Sequence, residues 1–312
     1  MDTTTDHTGP VDAAIIASAT HRECAPDAWI PRRTALLPTL PSHRAVIAGG
    51  LCLLACATWL GARPVADARG GDEATCVVLA PLDDPSAAFV SDAAECGRPT
   101  APASTFKVPH ALIALEVGVV SATEEVPWDG VDRGVAAWNR SHTLESAIRW
   151  SAVWFFQRTA GLIGPDRMRA ALRSLHYAGD TFDGDIRQFW LNGDLVVTPL
   201  EQLDFLGRMM RGELPVAARH LEAVKAAMVM PAGQVTMAGG AQPFVLDWPE
   251  PLVVRAKTGN TTVDGERVSW LIGEFESGAR AYVFASRVRS RAPLPSSAGA
   301  DLAARVLNVQ RR

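Results

Sequence analysis

The sequence predicts an α/β fold in which one sheet takes strands from both ends of the chain and a helical lobe is inserted between them. Short apolar segments bounded by turn residues lie near residue 75 and again after residue 250, and such segments are typical of strands. The chain between them carries helix-start signals and helical spacing of apolar residues. Strands that flank a helical middle favour a single α/β lobe with an insertion.

The elements follow from local signals in chain order. Two strands, 75–79 and 88–90, are predicted on either side of a Pro/Asp turn, and a helix is expected from Ser104 through Leu115. In the middle we expect one helix from Thr143 through Phe156 towards Gly161, a second from Pro165 to near Gly179, and a third whose capping box begins at Thr198. The last part predicts three strands and a closing helix, at 252–256, 268–276, 281–287 and 300–309.

The composition excludes some classes of protein. The chain has 312 residues, of which 48% are hydrophobic and 21% charged, and its net charge is −4. This is ordinary for one or two globular domains, and without a basic surface no nucleic-acid partner is expected. Only three of the 30 basic residues are lysines (Lys107, Lys225 and Lys257), so a lysine inside a motif carries extra weight.

Residues 1–68 are predicted to be an N-terminal extension that ends in a secretory signal, and 69–312 to be the exported, periplasmic domain. Arg44 precedes an apolar run at 45–60, and residues 66–68 match the small-x-small cleavage pattern. Two alternatives stay open: a lipobox that would place a lipid on Cys56, or an uncleaved anchor helix. Membrane contact is expected only through this segment.

The exported part contains two cysteines, Cys76 and Cys96. An even pair in an exported chain suggests a disulfide, although two separate buried thiols are the alternative. Their spacing does not fit a metal site, and no metal is expected.

Ser104-Thr105-Phe106-Lys107 is the first group of residues that can do chemistry. Residues three apart share a helix face, so Ser104 and Lys107 would be neighbours. A serine hydroxyl needs a base to become a good nucleophile, and a lysine can be that base if burial lowers its pKa. A surface Ser and Lys at a helix start is the alternative, since this spacing is common by chance.

Two further motifs follow in the chain. Lys257-Thr258-Gly259 comes after a predicted strand, and its lysine and hydroxyl could bind a carboxylate while the glycine lets a ligand approach. The alternative is a strand that ends and turns at Gly259. Ser151 lies in the middle of a predicted apolar helix, where it either bonds back to the helix or faces a site.

The order of these three motifs is more specific than any one of them. Ser-x-x-Lys is followed after 47 residues by Ser-x-Val and after a further 106 by Lys-Thr-Gly. This is the order found in penicillin-recognising serine enzymes. Two of the three lysines fall in these motifs, which argues against chance.

Over residues 70–312 the chain resembles the class D (oxacillinase-type) serine β-lactamases. The Ser104–Lys107 motif, with Pro102-Ala103 before it and Val108-Pro109 after it, resembles the corresponding motif of the class D enzymes. The other matching segments are 128–130, 138–139, 151–157, 189–193 and 270–273. The resemblance implies a β-lactamase/transpeptidase-like fold with an antiparallel sheet flanked by helices. It also implies hydrolysis of β-lactam antibiotics, which confers resistance, by a monomer or homodimer.

The resemblance implies a role for each matching residue. Ser104 would be the nucleophile, Lys107 the general base, and Ser151 a proton relay to the leaving nitrogen. In the family the lysine is carboxylated by CO₂, so no cofactor beyond CO₂ or bicarbonate is implied. Trp190 would donate a hydrogen bond to the carbamate. The side chains implied to keep its pocket dry are Val108, Val153 and Leu191.

The same resemblance implies that the Lys257-Thr258-Gly259 strand binds the substrate carboxylate. The oxyanion hole would consist of the backbone N–H groups of Ser104 and of Thr261 or Thr262. Two features depart from the family. The Tyr-Gly-Asn motif is Tyr177-Ala178-Gly179 here, and Leu294-Pro295 is not followed by an arginine. The possible replacements for this carboxylate-binding arginine are Arg287, Arg289 and Arg291.

Three alternative functions share some of these motifs. A β-lactam sensor domain would be acylated without turnover, but such domains normally follow several membrane spans and an H-E-x-x-H segment, whereas this sequence has one short apolar run and no such motif. A cell-wall transpeptidase or carboxypeptidase is disfavoured because the sequence around Trp190 resembles that of the class D enzymes. A non-catalytic binding module is disfavoured by the intact serine and lysine motifs.

Overall fold

An antiparallel sheet organises the part of the chain that the structure, a computed structural model, describes: residues 73–179 and 181–311. Five strands form this sheet, and two more pair as a separate hairpin. In chain order the strands are β1 (Glu73–Pro81), β2 (Phe89–Val90), β3 (Gln234–Met237), β4 (Gly240–Pro243), β5 (Leu252–Val263), β6 (Glu266–Ser277) and β7 (Arg280–Ser290). The order in the main sheet is β2-β1-β7-β6-β5, with every neighbouring pair antiparallel. The predictions of an antiparallel sheet and of strands from both ends are confirmed.

Eight α-helices flank the sheet in the described residues. They are α1 (Ala93–Cys96), α2 (Lys107–Val117), α3 (Leu144–Arg149), α4 (Val153–Ile163), α5 (Pro165–Leu175), α6 (Pro199–Arg211), α7 (Ala218–Ala227) and α8 (Ala298–Gln310). Helices α1 and α7 and the β3–β4 hairpin were not predicted from the sequence. The capping box predicted at Thr198 is present, with its side chain and that of Glu201 each bonded to the other's backbone N–H.

The two faces of the sheet bury different helices. Successive residues of a strand point to opposite faces, and on β6 Leu271 packs in the cluster that contains Ala303 of α8, whereas Ile272 packs in the cluster that contains α2 and α4. The inserted helices therefore cover one face, and α8 covers the other.

Three predicted boundaries were wrong. The helix expected from Thr143 to Gly161 is broken into α3 and α4, because Ser151 has φ +56°, in the left-handed region. The helix from Pro165 ends at Leu175, since His176 is also left-handed. The strand expected at 252–256 continues to Val263 and pairs with β6 along its whole length.

The predicted disulfide is confirmed, and it joins Cys76 of β1 to Cys96 of α1. The predicted extension at 1–68 and the lipid site at Cys56 lie outside the described residues. Among the residues that are described, no helix is both long and apolar enough to cross a membrane.

Candidate active site

Ser104 and Lys107 lie at a 3₁₀-to-α junction. The short 3₁₀ turn Ala103–Phe106 leads directly into α2, whose first residue is Lys107. The Lys107 amine donates a hydrogen bond to Ser104 Oγ with an Nζ–Oγ distance of 2.7 Å. Lys107 is 0% exposed and Ser104 9%. The two side chains are therefore neighbours, as their spacing predicts, and only the serine reaches solvent.

Burial sets the protonation state of this lysine. It lowers the pKa of Lys107 well below its usual value, and the charge of Lys257 lowers it further. An amine that loses its proton in this way has a free lone pair. It can then accept the hydroxyl proton of Ser104, which a charged ammonium cannot do.

The turn that carries Ser104 is held from two sides. Ala103, which precedes the serine, has φ +52°, and its N–H donates to the carbonyl of Trp190 at 2.9 Å. Thr105 Oγ1 donates to Pro102 O at 2.6 Å and accepts from Gln202 Nε2 of α6 at 2.8 Å. These bonds hold the serine just before the start of α2, and none of them uses the serine hydroxyl.

Strand β5 lies against this turn because residue 259 is a glycine. A Cβ built on Gly259 would come within 2.9 Å of Thr105 Cγ2, 3.0 Å of Thr105 N and 3.1 Å of Pro102 O. From the sequence, this glycine was expected to allow close approach of a ligand. The structure shows that it admits the protein's own 3₁₀ turn, which carries Ser104, and that the strand does not turn at this position.

Lys257 is buried on the same strand. Burial lowers its pKa to about 7, and its amine donates to the carbonyl of Thr258 at 2.9 Å. Both residues are at most 3% exposed. The charge of Lys257 thus acts on the pKa of Lys107, although the two lysines are 150 positions apart in the chain.

The strand register decides which β5 amides face away from β6. Ala256 N–H donates to Met228 O, on the edge opposite β6. In an antiparallel pair, alternate residues direct their N–H groups to the partner strand and away from it. With continuous pairing, Asn260 and Thr262 direct their N–H groups to the open edge, and Thr261 directs its own to β6. The prediction that the backbone N–H of Thr261 contributes to the oxyanion hole is therefore wrong. The N–H groups of Asn260 and Thr262 are the candidates on this strand.

Thr261 instead acts through its side chain, which donates to the carbonyl of Leu191 at 2.7 Å. This bond ties β5 to the loop that carries Trp190. Trp190 is fully buried and stacks on Phe106, with ring centroids 5.7 Å apart. Its Nε1–H has no hydrogen-bond partner in the part of the chain that the structure describes. A buried donor without a partner is costly, so this position suits a group that can accept a hydrogen bond.

The remaining predicted pocket residues are buried to different extents. Val108 is fully buried, whereas Val153 and Leu191 are half-buried. Ser151 is buried in the turn between α3 and α4. Helix α4 also contributes Phe156, whose ring centroid is 5.5 Å from Lys107 Nζ. An aromatic ring from α4 therefore lies beside the lysine amine.

Comparison with known proteins agrees with this geometry. Residues 65–309 match the family model described as the penicillin binding protein transpeptidase domain. The chain belongs to this family.

Its relatives within the transpeptidase-domain family confirm the class D resemblance. β-Lactamase OXA-48 of Klebsiella pneumoniae is 33% identical over 69% of this chain and 74% of its own length. A class D β-lactamase structure from Nostoc (YbXI) has a TM-score of 0.67 and 29% identity, covering 76% of this chain and 94% of that one. The C-terminal domain of the Bacillus licheniformis BlaR penicillin receptor has a TM-score of 0.67 and 26% identity, covering 77% and 91%.

Two of the three arginines considered as carboxylate ligands in this transpeptidase-family chain are used elsewhere. Arg287 and Arg289 are buried and pair with Glu95, and Arg287 also donates to the carbonyl of Arg98. Neither side chain is free for a substrate. Arg291 is more exposed and donates to Asp264 O at 3.1 Å.

His110, which was not among the residues predicted for the site, borders it. It is fully buried, and its ring lies 5.6 Å from that of Trp190. Burial and the charge of Lys107 lower its pKa to about 3, so it is neutral. The signal was present, because residues 104, 107 and 110 continue one i, i+3 series on a helix.

Proposed function

We propose that this protein hydrolyses β-lactam antibiotics through an acyl-enzyme on Ser104. The observation that carries the proposal is the 2.7 Å hydrogen bond between Lys107 Nζ and Ser104 Oγ in a pocket where the amine is fully buried. The naming of its relatives as class D β-lactamases supports the same activity.

Acylation uses the groups around Ser104. As Ser104 Oγ bonds to the lactam carbonyl carbon, its proton passes to the base at Lys107, and backbone N–H groups stabilise the oxygen that becomes negative. The carbon–nitrogen bond then breaks, and Ser151 donates its proton to the leaving nitrogen while it takes the proton that the base at Lys107 had accepted from Ser104. Lys257 and Thr258 hold the substrate carboxylate. In deacylation water adds to the carbonyl carbon, the bond to Ser104 breaks, and the serine regains its proton.

The residues around Lys107 fit its carboxylation by CO₂. Only an uncharged amine adds CO₂, and burial favours that form of Lys107. The unpartnered Nε1–H of Trp190 suits an anionic acceptor in the same aromatic pocket. When present, the carbamate would supply a base for both acylation and deacylation.

A β-lactam receptor is the second candidate. The solved BlaR penicillin-receptor domain resembles this chain as closely in fold as the class D enzyme from Nostoc does. A receptor shares the acylation chemistry but keeps its acyl group. The two functions therefore differ in deacylation alone.

Turnover distinguishes them. We expect a chromogenic cephalosporin to be consumed in large molar excess over the protein, and intact-protein mass spectrometry to show an acyl adduct that disappears after substrate is exhausted. Ser104→Ala should form no adduct. A stoichiometric burst with a lasting adduct would establish the receptor instead, and an adduct on Ser104→Ala would refute the nucleophile.

The carbamate has its own test. With ¹³C-labelled bicarbonate, we expect a carbamate resonance in the NMR spectrum of the wild type. Lys107→Met should lack it, and Trp190→Phe should need more bicarbonate for the same signal because the donor to the anion is gone. Lys225→Met serves as a control that retains the resonance. A wild-type spectrum without the resonance would leave the free amine as the base.

We further propose that the domain is exported and that hydrolysis confers resistance. The disulfide between Cys76 and Cys96 supports export, because such bonds persist in oxidising compartments and are rare in the cytosol.

A further inference from the structure

Ser151 sits in a strained turn. Its φ of +56° lies in the left-handed region, which residues with a side chain rarely adopt. Such conformations persist where surrounding contacts hold them, and they are concentrated at functional sites. The contacts that hold this turn therefore determine where the Ser151 hydroxyl points.

Two tryptophan indoles make these contacts. Trp138 Nε1 donates to the carbonyl oxygen of Trp150 at 2.9 Å. Trp154 Nε1 in turn donates to the carbonyl oxygen of Trp138 at 2.8 Å. Trp154 is 4% exposed and Trp138 is half-buried, so the chain of bonds runs from the helix core to the turn.

The bonded carbonyl belongs to the peptide that enters Ser151. A peptide unit is planar, so the Trp150 carbonyl and the Ser151 N–H move as one body. Trp138 holds its oxygen, and the Ser151 N–H donates to the carbonyl of Ile148 at 3.1 Å. Just beyond the serine, Ala152 N–H donates to Ala147 O at 2.9 Å. Of these three hydrogen bonds, the one from Trp138 alone comes from outside the α3–turn–α4 segment.

We propose that Trp138 is a positioning residue for Ser151: its indole N–H fixes the Trp150–Ser151 peptide and so directs the serine hydroxyl at the leaving nitrogen of the substrate. The inference rests on the proposed function, in which Ser151 relays a proton during acylation. Trp138 acts through the peptide bond and takes no part in proton transfer. Its loss therefore affects acylation and leaves deacylation unchanged.

Trp138→Phe removes the N–H and keeps an aromatic ring. We expect the acylation rate, measured by stopped flow, to fall about tenfold to a hundredfold, the range expected when a catalytic group is displaced by about 1 Å. The deacylation rate, measured from decay of the acyl adduct, should stay within about twofold of the wild type. Trp248→Phe is the matched control, because it removes an indole bond to Leu307 O at 3.2 Å near α8. It should change neither rate.

A double-mutant cycle excludes a merely structural role. In a Ser151→Ala background the Trp138→Phe change should slow acylation no further, since the side chain that it positions is gone. Additive losses, or equal losses in acylation and deacylation, would overturn the inference. If Trp138→Phe does not fold, Trp154→Phe tests the same chain one bond earlier, and an unchanged acylation rate in that variant would overturn it.

Failure of the proposed function looks different. A wild type that forms no adduct at Ser104 would refute the proposed function and the inference together. Normal wild-type acylation with an unaffected Trp138→Phe variant would refute the inference alone.

Discussion

Lys257 combines a proposed role in substrate binding with an unusual protonation equilibrium. Burial lowers its pKa to about 7, so in the free protein its positive charge is lost as the pH rises through neutrality. Substrate carboxylate binding needs that charge. Because kcat/KM reports the ionisation of the free enzyme, we expect kcat/KM to decline above about pH 7 in a profile of wild-type hydrolysis.

An arginine at this position separates charge from general pH effects. A guanidinium keeps its proton at any pH of interest, so in Lys257→Arg the declining limb should move to higher pH, even if its maximum is lower. Lys225→Arg is the control, since Lys225 pairs with Glu222 on α7 and belongs to none of the three motifs. A limb that stays near pH 7 in Lys257→Arg would assign the ionisation to another group.

At the scale of elements, local signals predicted those elements whose determinants are local. The capping box at Thr198 places the start of α6 correctly, because all its partners lie within four residues. The i, i+3 spacing of Ser104 and Lys107 likewise predicts their contact. Both predictions needed only helix geometry.

The break at Ser151 was not predictable in the same way. The segment around it is apolar and reads as one continuous helix. The contact that holds the break open comes from Trp138, 13 residues away in a different part of the chain. A strained turn of this kind depends on tertiary contacts that no local pattern encodes.

Strand β5 shows a second limit. Its motif predicted a site, but the orientation of its amides depends on the bond from Ala256 to Met228 and on pairing with β6. A shift of one residue would exchange Asn260 for Thr261 at the open edge. The role of Gly259 was also missed, because only the folded chain brings Thr105 against it.

At the scale of the whole molecule, β1 and α1 are bonded to the C-terminal strand β7. Glu95 of α1 accepts hydrogen bonds from Arg287 and Arg289 of β7. Burial of Glu95 works to raise its pKa, but the bonds from Arg289 and the positive charges outweigh it, so the pKa of Glu95 is lowered. The next residue, Cys96, carries the disulfide to β1. Ionic and covalent links therefore attach the same helix, α1, to both β7 and β1.

Removal of the disulfide should lower the free energy of unfolding and leave the catalytic activity unchanged. Cys76 and Cys96 are 20 residues apart, and closing a loop of about this length contributes on the order of 3 kcal/mol to the free energy of unfolding. We expect the Cys76→Ala/Cys96→Ala variant to unfold at correspondingly lower denaturant. Its kcat/KM at 25 °C should match the wild type, because Trp190 and Gln202 hold the turn that carries Ser104 without help from the disulfide.

Reductant provides the control for this prediction. It should lower the unfolding midpoint of the wild type to that of the double variant and leave the variant itself unchanged. A wild-type midpoint that is insensitive to reductant under denaturing conditions would show that the bond contributes no stability. A loss of kcat/KM in the folded double variant would instead show that α1 helps to position Ser104. It would mean that the hydrogen bonds from Arg287 do not hold the Arg98–Thr100 segment in place without the disulfide.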